Sequence, residues 1–435
     1  MALGGGTFLA QNKILPGTYV NFVSMAKASA LLSDRGIATM PVILDWGIQG
    51  AVMEVSAEDF QRNSLRLFGY DYRAPQLKGL RDLFRNIRLA YLFRLGSGGA
   101  KAANIYATAK CAGTRGNDLK VVIAENVDNA SNFDVSVYLG TTLVDQQTVS
   151  SASGLVNNDF VEWKPAATLA QTAGTPLTGG ASPVPTNGDY QTYLDCLEGY
   201  SFNGIGCPSD DSEVKGLFTE FTRRMRDERG AKFQCVTFDH PADYEGVVNV
   251  TNAVTDTGTD NWSAVYWVTG VIAGTAVNKS ALNKVYDGEY TIDVKLTQLQ
   301  LEDAIKSGKF AFHRVDSSVR VLSDINSLTT VTESKNELFK ENQTIRVIDQ
   351  IANDIAILFN TKYLGVVPND ADGRISLWSD IVKHHERLQT IRAIEEFNGD
   401  DVMVLSGNTK RSVVVHDAIT VVNAMAQLYM TCVVA

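Results

Sequence analysis

Between residues 100 and 164 the apolar pattern of this chain changes its period. Phe133, Val135, Val137 and Leu139 alternate with Asp134, Ser136 and Tyr138, a spacing of two that puts one face of a strand inside. Ile105 to Lys110, Leu119 to Glu125 and Leu143 to Val149 read as further short strands between Gly, Asn and Asp turns. On both sides of this stretch the spacing is three and four. Upstream, Leu80, Leu83, Phe84, Ile87 and Tyr91 predict a helix over Pro75 to Leu95, after another over Ala57 to Phe68. Downstream, Val214, Leu217, Phe218, Phe221 and Met225 line one side of a helix from about Asp211 to Arg229. A period-two block inside a helical and mixed sequence requires a small all-β module set into an α/β chain.

The remaining elements follow from local signals. Ser201 to Gly206 and Phe233 to Phe238 flank the Asp211 helix, giving a β-α-β unit and a parallel sheet. Asp210 and Glu213 have capping-box spacing, and Gly230 suits the far end. Trp262 to Ile272 and Lys284 to Val294 read as apolar segments of the same layer, and Asp256 to Asp260 as a polar loop. Ser334 and Glu337 open a long helix with Ile345, Ile348, Ile351, Ile355 and Leu358 on one face; Ser376 to Phe397 is a second helix. Asp401 to Leu405, Arg411 to Val421 and Leu428 to Val434 read as strands, the last two as a hairpin around Asn423 to Ala426. At 435 residues the chain exceeds a single core. The expected division is an arm over 1–26, an α/β segment packing on the core over 27–99, a β-sandwich-like module over 100–164, a linker over 165–188, a central α/β domain over 189–330, a C-terminal α+β domain over 331–426 and a last strand over 427–435.

Both ends carry strand patterns. Leu428, Met430, Cys432 and Val434 alternate with Tyr429, Thr431 and Val433, and Gly17 to Met25 is a similar segment behind a glycine-rich tip. Chain ends usually fray, so an apolar strand there needs a sheet to join. A chain with such a segment at each end is built to pair.

Composition narrows the function. The formal net charge is −10, which opposes the phosphate neutralisation that nucleic-acid binding requires. The densest basic cluster, Arg223, Arg224, Arg226 and Arg229, is broken by Asp227 and Glu228 and reads as a solvated or intersubunit helix face. No apolar run approaches the ~20 residues of a membrane span, and Met1 to Gly6 lacks the basic and apolar regions of a secretory signal. The five cysteines are scattered without a C-x-x-C pair, as in a reduced compartment.

Candidate chemistry does not assemble. No phosphate loop is present; Gly96-Ser97-Gly98-Gly99-Ala100-Lys101 reads as the end of a helix. Asp370-Ala371-Asp372-Gly373 has part of a calcium-loop pattern, but its frame would start at Pro368 and close at Ser379, where a carboxylate is needed, so it reads as a surface turn. His384 and His385 are adjacent, whereas zinc-binding histidines on one helix face stand four apart. His240, His313 and His416 read as structural. Neither G-x-S-x-G nor a subtilisin-like serine block occurs, and the N-x-[ST] sequons are chance matches without secretion. The expectation is a non-enzymatic assembly protein without cofactor or metal.

Nearly the whole chain resembles the contractile tail sheath proteins of myophages and prophage-derived R-type bacteriocins, above all those of Gram-positive hosts. The resemblance rests on Met1-Ala2-Leu3-Gly4-Gly5-Gly6-Thr7-Phe8 and Leu15 to Val23 with its Pro16-Gly17-Thr18-Tyr19 turn. Phe202-Asn203 to Pro208, Arg229 to Phe233 and Val265 to Lys279 resemble the central layer. Asp372-Gly373-Arg374-Ile375, Val422-Asn423-Ala424-Met425 and Leu428-Tyr429-Met430-Thr431 resemble the C-terminal domain. The resemblance implies an α+β multidomain fold with a central layer of subtilisin-like topology but no triad, and terminal arms exchanged between subunits. The donors would be Thr18, Tyr19, Val20 and Phe22 at one end and Leu428, Tyr429, Met430 and Val433 at the other; the acceptor would be the sheet holding Met403, Val413 and Val415. It implies a helical homopolymer of hexameric rings around a tail tube protein, with baseplate and tail terminator proteins as further partners. Neither nucleic acid nor membrane insertion is expected. Assembly would occur in the bacterial host cytoplasm, with release by lysis. The alternatives are another phage-particle protein of baseplate or shell, and an oligomeric α/β enzyme with an unrecognised site.

Overall fold

The computed structural model describes residues 32–434. These divide into a larger unit, Asp34–Asn353 with the segment from Val421 onward, and a smaller unit over Asp354–Thr420 that also includes Ser33. The larger unit opens with strands β1 (Ile37–Val42) and β2 (Val52–Ser56), helix α1 (Ala57–Phe68), helix α2 (Lys78–Phe84) and strand β3 (Leu89–Arg94). Helix α1 forms where its pattern predicts, and the Ser56 hydroxyl accepts the Asp59 amide at its start. The helix predicted over Pro75 to Leu95 does not run through. It ends at Phe84, and Leu89–Arg94 is a strand pairing β1 in parallel and β2 in antiparallel. A short apolar run buried on both faces has no period that separates helix from strand. The Gly96 to Lys101 stretch therefore follows a strand rather than a helix, although no helix follows it to complete a phosphate loop.

The next strands are β4 (Ala107–Ala109), β5 (Leu119–Glu125), β6 (Phe133–Leu139), β7 (Thr142–Val149), β8 (Val161–Trp163) and β9 (Thr172–Pro176). They form a four-stranded sheet in the order β7-β6-β5-β9 and a two-stranded one of β4 and β8. The two share one apolar core, with Leu119, Val121, Ile123, Val135 and Val137 from one sheet and Ala107, Val161 and Trp163 from the other. The segment expected as a linker, 165–188, is not one throughout. Its strand β9 pairs with β5, taking an edge position where Pro176 gives up no ladder donor.

Helix α3 (Asn187–Leu197), β10 (Gly204–Gly206), α4 (Ser212–Arg223), β11 (Gln234–Phe238) and β12 (Val247–Val250) return the chain to its main sheet; α5 (Ala264–Gly274), α6 (Gln298–Lys306), β13 (Lys309–Phe310), β14 (Phe312–Val315) and β15 (Ser318–Val321) follow. The sheet has seven strands in the order β13-β12-β11-β10-β1-β3-β2. All its pairings are parallel except that of the edge strand β2. Residues 27–99, expected to pack on this layer, supply three of its strands. The expected β-α-β unit is present as β10-α4-β11, and its cap is Asp211 rather than Asp210, accepting the Glu213 and Val214 amides. Trp262 to Ile272 becomes helix α5, whereas Lys284 to Val294 is irregular. Helix α5 is apolar on every side and buried on all but one: Val265, Trp267, Val268, Val271 and Ile272 are inaccessible, and Tyr266 is half-buried. It lies against the sheet on one side and α2 on another. The close approach to α2 requires glycine, because a Cβ on Gly270 would sit 2.5 Å from the Leu83 carbonyl oxygen.

The long helix α7 (Asn342–Leu358) starts after a 3₁₀ turn over Glu337–Lys340 capped by Asn336, so the predicted Ser334 start lies eight residues too early. The boundary between the units falls within α7. The smaller unit then holds α8 (Ala371–Thr390), the short β16 (Ile394–Glu395), β17 (Val402–Ser406) and β18 (Val413–Asp417). The Asp370 to Gly373 turn is the start of α8, where the Asp370 carboxylate accepts the Gly373 amide. Strands β17 and β18 form an antiparallel pair. Residues 422–434 form no strand, so the expected hairpin around Asn423 to Ala426 is absent.

Candidate assembly surfaces

Strands β17 and β18 pack on α8 through Val402, Val404 and Val413, which join a small core of Leu358, Tyr363, Leu377, Ile381 and Val382. The Trp378 indole donates to the Val402 carbonyl at 3.0 Å and holds the hairpin on the helix. Beneath it lie two buried imidazoles. His384 Nε2 donates to Asp354 Oδ2 at 2.9 Å, and His385 Nε2 to Asp417 Oδ2 at 2.9 Å. The Asp354 carboxylate also accepts the Ser33 hydroxyl. Each histidine thus has its own carboxylate, one of them on β18. The His385 bond ties β18 to α8, and the two remaining ring nitrogens, His384 Nδ1 and His385 Nδ1, face each other at 3.4 Å. One turn earlier on α8, the Lys362 ammonium meets Asp380, which raises the lysine above its usual range, and the Tyr363 hydroxyl donates to the same carboxylate.

Register separates the two faces of the hairpin. Val404 stands opposite Val415, and Ser406 opposite Val413, on the side toward α8. Met403 stands opposite His416 and Leu405 opposite Val414 on the other side. Met403 is 52% exposed, Leu405 48% and Val414 42%. An exposed apolar face on a two-stranded sheet with open edges is an invitation to pair. Met403, Val413 and Val415, expected as acceptor residues, are thus brought into one ladder, but only Met403 lies on its outer face. Leu405 and Val414 were missed. Their alternation with Val404 and Val413 was the available signal, and it could not say which side α8 would cover.

Of the expected donors, Thr18, Tyr19, Val20 and Phe22, with the Gly17 to Met25 segment, lie outside the described residues. Leu428, Tyr429, Met430 and Val433 are described and stand 75% to 90% exposed. They join no strand. Their alternating apolar pattern is thus unsatisfied within the described chain.

A crevice opens at the carboxyl end of β1, the edge of a parallel sheet where α/β proteins bind ligands. Val42, Leu44, Pro75, Trp262, Tyr266 and Tyr290 line it, with Asp260 as its one carboxylate, and its volume is about 200 Å³, below that of a typical ligand pocket. Among the described residues no three His, Cys, Asp or Glu side chains are placed to hold a metal ion, and no helix is long and apolar enough to cross a membrane.

Comparison with known proteins places the chain in a family. Residues 96–182 match the phage tail sheath protein beta-sandwich domain, 184–327 the phage tail sheath protein central domain, and 334–435 the phage tail sheath C-terminal domain. The phage-like element PBSX protein XkdK of Bacillus subtilis is 32% identical, over 98% of this chain and 99% of its own. The crystal structure of the sheath tail protein from Desulfitobacterium hafniense is similar with a TM-score of 0.83 at 36% identity, covering 94% of this chain and 98% of that one. The helical sheath of the anti-feeding prophage in its contracted state shares the fold at a TM-score of 0.59 and 13% identity, over 97% and 99% of the two chains. The α/β architecture, the inserted β-sandwich and full-length kinship to sheath proteins converge: the chain belongs to the phage tail sheath family, whose members are structural proteins and not enzymes.

Proposed function

We propose that copies of this chain polymerise helically, as stacked hexameric rings, around a tail tube, and that the polymer contracts to drive the tube through a bacterial envelope. The carrying observation is the pairing of two unsatisfied apolar surfaces on one chain: the outer face of β17 and β18, and the exposed alternation of Leu428, Tyr429, Met430 and Val433. Adding the second to the open edge of the first on another copy is β-augmentation. Repeated head to tail without closing, it builds a helix. The segment around Thr18, Tyr19, Val20 and Phe22 is the second donor in this reading; the first ~20 residues reach at most about 70 Å. The subtilisin-like shape of the central layer supplies a rigid body, and contraction is its rotation between two packings of different free energy. The 100–164 module faces outward and the C-terminal domain faces the tube. Tube, baseplate and tail terminator proteins are the partners, with no role for nucleic acid or membrane insertion. Assembly takes place in the host cytoplasm, and the finished tail leaves by lysis.

The test is electron microscopy of the purified chain with and without Gln427–Ala435. Striated tubes or stacked rings are expected from the intact chain, and folded, non-polymerising protein from the shortened one. Tubes from both would remove the C-terminal strand from the mechanism. Tyr429→Pro, which deletes one ladder donor, is expected to act like the deletion.

A further inference from the structure

The chain re-enters the larger unit at Val421, and there it meets one side chain that treats it as a strand. The Gln343 amide nitrogen donates to the Val422 carbonyl at 3.0 Å, and the Gln343 amide oxygen accepts the Ala424 backbone N–H at 3.0 Å. These two bonds bracket Asn423. They are what a residue in a parallel ladder would offer, with a side-chain amide standing in for a peptide group. The Thr344 hydroxyl adds a third bond, to the Asn423 side-chain oxygen at 3.2 Å.

The anchor is itself held rigidly. Gln343 is 4% exposed and lies in the first turn of α7. Its neighbour Asn342 donates to Asp324 Oδ1 at 3.0 Å and accepts from Gln234 Nε2 at 2.8 Å. Arg346 points at the same aspartate, and one turn further Asp349 takes both terminal nitrogens of the buried Arg226 at 2.6 and 2.8 Å. After Ala424 the environment changes abruptly, and Met425 is 99% exposed.

We infer that Gln343 is a positioning residue for strand donation: it fixes the C-terminal segment to α7 at residues 422–424, so that the donated strand begins at Met425. This rests on the proposed function, and adds to it a defined point of departure. The ten described residues Met425–Val434 reach at most roughly 35 Å from the α7 anchor.

The experiment uses the whole chain with Gln343→Met, which keeps the volume and loses both bonds, and Gln343→Glu, which keeps the acceptor and loses the donor. Hydrogen exchange at the Ala424 amide, below the polymerisation threshold, reads the anchor. Exchange about tenfold faster in Gln343→Met is expected from the loss of its acceptor, with a smaller rise in Gln343→Glu. Unchanged exchange in the folded variants overturns the anchor. The critical concentration for polymerisation reads its role, and a rise of about tenfold for Gln343→Met is expected from freeing the segment. Faster exchange with an unchanged threshold overturns the positioning role and leaves the sheath reading standing. An intact chain that never polymerises, even with a tube as template, overturns the sheath reading and with it the role, whatever the exchange shows.

Discussion

Helix α5 and the segment from Leu428 to Val434 are both strongly apolar runs of this chain, and they meet opposite fates. In α5 every large side chain from Val265 to Ile272 except Tyr266 is inaccessible, wedged between the parallel sheet and α2. In the C-terminal segment Tyr429 is 86% and Val433 90% exposed. The difference is not in hydrophobicity but in period and supply of partners. An all-round apolar helix is consumed by its own fold. A strand that alternates and finds no edge keeps its driving force available to another chain.

Four measurements break or sharpen that contrast. Trp267 donates to Asp287 and packs edge-on against Tyr286 and tilted against Phe312 in the α5 core; Trp267→Ala is expected to lower unfolding free energy by about 3–5 kcal/mol in denaturant titration. A smaller loss would mean that α5 is less consumed than its burial implies.

The second concerns the loop that closes over α2. Asp82 is fully buried, and burial pushes its carboxyl up to about 6 against hydrogen bonds from the Tyr286 hydroxyl and the Glu289 amide. The folded chain therefore binds this proton more tightly than the unfolded one. Its contribution to stability is full below about pH 4 and is lost as pH rises through about 6. Asp82→Asn is expected to remove on the order of 2–3 kcal/mol of stability change across that window, read from melts at several pH values. Parallel pH profiles for the two proteins would overturn the assignment.

Third, Asp211→Ala removes the cap of α4 and is expected to lower stability by about 1 kcal/mol, a test of whether local signals matter in so well buried a unit. Last and smallest, Leu428→Asp is expected to leave unfolding within about 0.5 kcal/mol of the parent while suppressing tube formation under the microscope. A large loss of stability would mean that this segment does pack on its own chain.

What the sequence reveals about this molecule depends on where each signal originates. Strands β5 and β6 are legible because Val121 and Ile123 in one, and Val135 and Val137 in the other, alternate with more exposed or polar residues. Strand β3 is not, because Leu89–Arg94 is covered on both faces and has lost its period. Strand β9 hides among prolines and glycines because it needs only one paired edge. The hairpin β17–β18 could be read from its β-branched residues, but which of its faces stays bare is decided by α8, far away in composition and period. Gln343 left no trace at all. A glutamine in a helical first turn is ordinary until the returning chain comes to lie beside it.

The β-sandwich leaves and rejoins the rest of the chain at one place, and it also packs on that chain through Trp46, Leu65 and Tyr70. Ala100 and Ala181 exchange both backbone bonds, at 2.9 and 3.0 Å, and Ala103 bridges Thr178 three residues further on. Entry and exit are therefore side by side, and from the main sheet this whole excursion is topologically one closed loop between β3 and α3. A change of length inside this loop leaves every strand of the seven-stranded sheet with the same neighbours.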